Sequence, residues 1–152
     1  MVRLIEHAWE EVLKPLIFRP SRVQVAALCC KRSSTGLDVL MVTSRGTGRW
    51  IIPKGWPIRG KDGKQSALQE AWEEAGVRTG HASAQPIGTF SYEKELKSGL
   101  PVAVETFVYA IDDVELSESY PEAHQRRRKW VKASDAANMV REPGLQSILR
   151  QL

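Results

Sequence analysis

The chain has 152 residues, 42% apolar and 26% charged, a balance that suits one compact domain able to bury a core unaided. Its net charge of +4 and pI of about 9.2 are modest. Its only two cysteines, Cys29 and Cys30, lack zinc-finger partners, and no apolar run could cross a membrane or act as a signal peptide. These features exclude a disulfide scaffold, a zinc module and a membrane partner, and make a reducing cytoplasm the expected location.

In chain order, Leu4, Ile5, Ala8, Trp9, Val12 and Leu13 recur at helical spacing before Pro15. They predict a helical extension over residues 1–18 that packs on the domain or binds a partner. Val23 to Cys29 reads as a buried strand, and Leu37 to Thr43 as its antiparallel partner across a polar Lys31–Gly36 turn. Cys29 and Cys30 then point to opposite faces and act as buried hydrophobes, not as a disulfide. Trp50 to Pro53 reads as a short strand entering the Gly-rich loop Gly55–Gly63.

A helix follows, capped by Asp62 or Ser66 and stopped near Gly76. Ile87–Leu96 and Leu100–Ile111 flank a Lys97-Ser98-Gly99 turn as a hairpin, and residues 112–125 read as an acidic loop. Lys129–Lys132 forms a last strand, Ser134-Asp135 opens a helix to about Val140, and Leu145–Leu152 forms another after Pro143-Gly144. The pattern predicts an α+β fold, an α/β/α sandwich with a mixed sheet, as one domain spanning residues 1–152.

Within the central helix, Glu70, Glu73 and Glu74 fall at i, i+3 and i+4, inside a sector roughly 100° wide. Ala67, Leu68, Ala71, Trp72 and Ala75 occupy the opposite arc and give that helix a face to bury. Like charges crowded on one face repel, so the arrangement is suited to a hard divalent cation. Mg²⁺ takes a few carboxylates, keeps several waters and accepts further oxygens from substrate phosphates. Basic residues surround the approach: Arg45, Arg49, Lys54, Arg59, Lys61, Lys64 and the run Arg126–Lys129. Acid for a metal beside base for an anion points to a metal-bridged polyphosphate.

The stretch Gly55–Val77 resembles the Nudix box, G-x5-E-x7-R-E-U-x-E-E-x-G-U, at six of its nine specified positions: Gly55, Glu70, Glu73, Glu74, Gly76 and Val77. Lys61, Gln69 and Ala71 stand where that pattern has Glu, Arg and an aliphatic residue. Ser44-Arg45, Arg49-Trp50-Ile51-Ile52-Pro53 and Arg126–Val131 further resemble the diphosphoinositol polyphosphate phosphohydrolase subgroup, so the likeness spans about residues 20–142.

The resemblance implies a Nudix hydrolase that uses Mg²⁺ or Mn²⁺ to cleave a phosphoanhydride. Glu70 and Glu74 are the expected chelating pair, Glu73 the expected general base with Glu70 beside it, and the Gly55 carbonyl a further metal ligand. The roles within the trio are interchangeable at this level. Lys61 implies fewer metals or a contact to substrate phosphate, and Gln69 can hydrogen-bond a Glu without pairing its charge. By the same resemblance, Arg22, Ser44, Arg45, Lys54 and Arg126 are the expected phosphate contacts. The implied substrate is small: a diphosphoinositol polyphosphate or a dinucleoside polyphosphate. A non-catalytic polyphosphate-binding module is the alternative. An RNA 5′-pyrophosphohydrolase ranks below both, because no aromatics interleave the basic residues and a nucleic-acid partner is not expected.

Overall fold

The computed structural model describes residues 22–152, so the extension expected over residues 1–18 lies outside the described residues. The architecture follows from one strand. β1 (Arg22–Ser33) is apolar on both sides because both are covered. Ala26, Leu28 and Cys30 enter one core cluster, and Ala27 and Cys29 enter the other. Both thiols are therefore free and buried, and burial pushes the Cys30 thiol up to about 12.

β1 pairs antiparallel with β2 (Gly36–Thr43) and parallel with β7 (Pro101–Leu116). β3 (Trp50–Ile51) extends the sheet beyond β2, and β5 (Val77–Ala82) extends it beyond β7. Three further strands join from the side: β4 (Lys54–Gly55) on β1, β6 (Gly88–Glu95) on β7, and β8 (Arg128–Lys132) on β2. One layer is covered by α1 (Gly63–Ala75) through Ala67, Ala71 and Ala75. The other is covered by α2 (Ala133–Met139) and α3 (Pro143–Arg150) through Ala136, Ala137, Leu145 and Leu149. This is the α/β/α sandwich with a mixed sheet read from the sequence.

Several boundaries differ, each for a local reason. β1 runs to Ser33, leaving only Ser34 and Thr35 in the turn. The expected strand Trp50–Pro53 is split. Trp50–Ile51 pairs with β2 while Lys54–Gly55 crosses to β1, and Pro53, which has no N–H, lends only its carbonyl, to Ala27. β5 has no counterpart in the sequence reading: in V-R-T-G-H-A only Val77 and Ala82 are buried, and its register against β7 shifts twice. Residues 112–116 belong to β7 and not to the acidic loop; the strand passes the bend through Asp113 at φ 53°. The C-terminal helix starts two residues early, with Pro143 in its first turn.

Asp62, not Ser66, caps α1. Its carboxylate accepts from the Gln65 N–H at 2.7 Å while the Gln65 side chain accepts from the Asp62 N–H at 2.9 Å. The Ser66 hydroxyl instead accepts from the Ile58 N–H. At the other end Gly76 adopts φ 71°, and a Cβ there would lie 2.5–2.7 Å from Tyr120, Arg128 and the Ser117 carbonyl. Gly76→Ala should therefore destabilise the protein by about 1–3 kcal/mol through left-handed strain plus this clash. Urea unfolding should show a lower midpoint at constant slope, and an unchanged midpoint would refute the packing described.

Candidate active site

Because α1 buries its alanine face, the arc carrying Glu70, Glu73 and Glu74 turns toward the end of the sheet. There the three line a cleft of about 500 Å³ together with Ser44, Arg45, Lys54, Gly55 and Arg126. Contacts between α1 and β4 fix the geometry. The Glu70 carboxylate lies against the Gly55 backbone so closely that a Cβ at residue 55 would sit 2.3 Å from it. Only glycine allows this approach. Glu74 is 6% exposed and accepts from the Lys54 N–H at 3.1 Å and from the Arg126 guanidinium at 3.1 Å. Glu73 accepts from the Gln69 amide at 3.0 Å, one turn away. Gln69 thus makes the hydrogen bond that its chemistry permits in place of an ion pair.

Burial, followed by the charges of Glu74 and Glu73, raises the Glu70 carboxyl to about 7. Burial also raises Glu74 to about 7, against the pull of Arg126 and of the Lys54 N–H. Lys54 is lowered to about 8, chiefly by burial and then by Lys94. Its ammonium lies 4.9 Å over the Tyr92 ring. The cleft therefore has an acidic wall on α1 and a cationic side made by Lys54, Lys94 and, at the rim, Arg45.

The expected phosphate contacts differ in their surroundings. Arg126 is 9% exposed and committed: besides Glu74 it reaches Glu122 at 3.4 Å and donates to the Thr43 carbonyl at 3.0 Å. It nevertheless lines the cleft, and its Nε has no hydrogen-bond partner among the described residues. Lys61, exposed, lines a separate groove with Gln65, Gln69 and Trp72, away from the carboxylates. Arg22 is exposed at the start of β1 and is not among the cleft-lining residues. Arg45, 59% exposed, pairs with Glu122 at 3.1 Å, a weak surface interaction that an anion could displace.

Lining residues that the sequence reading did not assign to the site include Gln24, Trp56, Lys94 and Glu122. Gln24 carried a signal, as the one polar residue inside the run Val23–Cys30. Trp56 stands at an unspecified position of the box, and Lys94 and Glu122 carry no signal that separates them from solvated surface charges.

Among the described residues no three acidic, imidazole or thiol groups form a ready-made metal set. The donor chemistry nevertheless fits a hard cation. Three carboxylates and an approachable Gly55 backbone line one cleft, and burial raises two of the carboxyls to about 7. A closed, zinc-like site would need softer and more numerous ligands.

The NUDIX domain family matches residues 20–152. The chain belongs to the Nudix hydrolase family. Its relatives include the human diphosphoinositol polyphosphate phosphohydrolases 3-beta and 3-alpha, each 31% identical over 118 residues, covering 76% of this chain and 67% of the relative. Nudix hydrolase 13, mitochondrial, of Arabidopsis thaliana is 28% identical over 120 residues, covering 76% and 59%.

Among solved structures, the C. elegans Ap4A hydrolase superposes with a TM-score of 0.61 at 22% identity, covering 86% of this chain and 95% of that one. The E. coli dihydroneopterin triphosphate pyrophosphohydrolase gives 0.63 at 15%, covering 86% and 93%. At these identities the structures establish the fold alone, and they do so for the whole sandwich. Nudix hydrolases generally use divalent metal ions. No helix among the described residues is long and apolar enough to cross a membrane.

The raised carboxyls give a testable sign. Glu70 and Glu74 bind protons more tightly folded than unfolded, so their contribution is complete below about pH 4.5 and is lost as pH rises through about 7. Lys54 has the opposite sense, but its change lies near pH 8. In chelator, Tm by calorimetry should fall between pH 5 and 7.5, and Mg²⁺ added at pH 7.5 should restore it. A Tm that neither falls with pH nor responds to metal would contradict this account of the trio.

Proposed function

We propose that the protein hydrolyses a phosphoanhydride bond of a small, highly phosphorylated substrate, a diphosphoinositol polyphosphate or a dinucleoside polyphosphate, with Mg²⁺ or Mn²⁺. The observation that carries this reading is the juxtaposition, in one cleft, of the Glu70–Glu73–Glu74 wall with the Lys54–Lys94 side. The 31%-identical relatives named as diphosphoinositol polyphosphate phosphohydrolases support it, as does the Ap4A hydrolase among the fold neighbours.

In this reading Glu70, Glu74 and the Gly55 carbonyl would hold the metal, which would supply charge neutralisation at the phosphates and make the attacking water more acidic. Glu73 takes the proton of the attacking water, and the Gln69 amide holds its carboxylate in position. The water oxygen bonds to phosphorus, the bridging P–O bond breaks, and the leaving phosphate departs with the bridging oxygen. Lys54 and Lys94 neutralise a phosphate that does not react, and Arg45, with Ser44 beside it, meets the substrate at the rim.

Glu73→Gln should lower kcat by two orders of magnitude or more while Mg²⁺ affinity by calorimetry stays within a few fold. Glu70→Gln should weaken metal binding, with partial rescue by excess metal. Reversal of these two results would exchange their roles. Arg45→Ala should lower kcat/KM by about tenfold on a diphosphoinositol substrate, with less effect on ADP-ribose and a smaller effect in high salt. A screen of diphosphoinositols, dinucleoside polyphosphates, ADP-ribose and nucleoside triphosphates with each metal tests the whole reading. Tight binding of one of them without turnover would establish the polyphosphate-binding module instead.

A further inference from the structure

Gln24 is an anomaly of β1. It is 2% exposed, a polar side chain in a run that is otherwise apolar, and burying an amide is costly unless it is used. Its carbonyl end is used: the Tyr92 hydroxyl, reaching across from β6, donates to Gln24 Oε1 at 2.5 Å. That bond fixes the amide plane, and nothing among the described residues takes the Nε2 donor. The same side chain lines the cleft beside Lys54 and Lys94.

Two neighbouring observations agree. Thr106, opposite Gln24 in the β1–β7 register, is fully buried with a hydroxyl that has no partner among the described residues, so a second incompletely satisfied polar group lies beside Gln24. The Tyr92 ring that fixes Gln24 also lies under the Lys54 ammonium at 4.9 Å, so one aromatic side chain orients both donors. An amide oriented by Tyr92, in a cleft that Lys54 and Lys94 also line, can donate to an acceptor-only anion.

We propose that Gln24, held by Tyr92, is a specificity-determining residue that donates to a non-reacting phosphate of the substrate at the floor of the cleft. Tyr92 is a positioning residue that acts through Gln24. The proposal rests on the polyphosphate reading of the cleft, and it adds a neutral, directional contact to what would otherwise be two point charges.

The test is calorimetric titration of inorganic tripolyphosphate into the full chain in chelator, which reads the floor without metal or turnover. Gln24→Met should weaken binding about tenfold, and Gln24→Asn, which keeps the amide but shortens its reach, should do nearly the same. Tyr92→Phe should weaken binding several-fold alone and add nothing on the Gln24→Met background, where the double variant also removes the stranded hydroxyl and so protects folding. With a turned-over substrate, Gln24→Met should raise KM far more than it lowers kcat.

Wild-type affinity in both Gln24 variants would overturn the proposal. So would tripolyphosphate failing to bind the wild type, or losses from Gln24→Met and Tyr92→Phe that multiply in full. Gln24-dependent binding by a protein that hydrolyses none of the screened phosphoanhydrides would leave the subsite standing and remove the hydrolase reading alone.

Discussion

The arrangement of the site depends on one ion pair. Arg126, in the segment that leads into β8, is nearly buried, and it joins Glu74 of α1, Glu122 of the preceding loop and the Thr43 carbonyl at the end of β2. A helix that crowds three carboxylates onto one arc needs a counterion, and α1 offers only Lys64 near its start. Gln69, where the Nudix pattern places arginine, supplies a hydrogen bond but no charge. The compensating cation therefore arrives from about fifty residues downstream in the chain, and α1 is fastened to the sheet through it. Removing one member of such a buried pair strands the other, which costs far more than an exposed pair contributes.

Much of this was legible in the residues. The i, i+3, i+4 spacing of the glutamates and the alanine arc behind them fixed the helix, its burial and its functional face, because a helical period is a strong signal. Gly55 and Gly76 were legible for the same reason: each sits where backbone must approach closely or turn left-handed, and no other residue serves. What could not be read was which cations face the cleft. A lysine or arginine looks alike in sequence whether it is solvated, ion-paired or aimed at a ligand, so Arg126 and Lys61 were grouped with Lys54. Only the packing separates the guanidinium engaged by Glu74, the ammonium turned to another groove and the ammonium held in the cleft. β5 was illegible because it is recruited by β7 and by α1 packing, not by an alternation of its own.

The two sides of the cleft come from different layers. The acidic wall stands on α1, and the facing side on β1, β4 and β6 through Gln24, Lys54 and Lys94. A change in the strands can thus alter that side of the cleft without touching the carboxylates of α1.

The parallel pairing of β1 with β7 bears on how the protein comes into being. Gln24 and its partner Thr106 lie roughly eighty residues apart, so the central ladder closes a long loop before it gains any contact energy. During synthesis β1 emerges early, apolar on both faces, and must wait for its partner strand. Neither the cleft nor the Arg126 clasp can exist until nearly the whole domain has left the ribosome. Assembly is accordingly expected to be slow and late, with the waiting strand as the surface most in need of protection from aggregation.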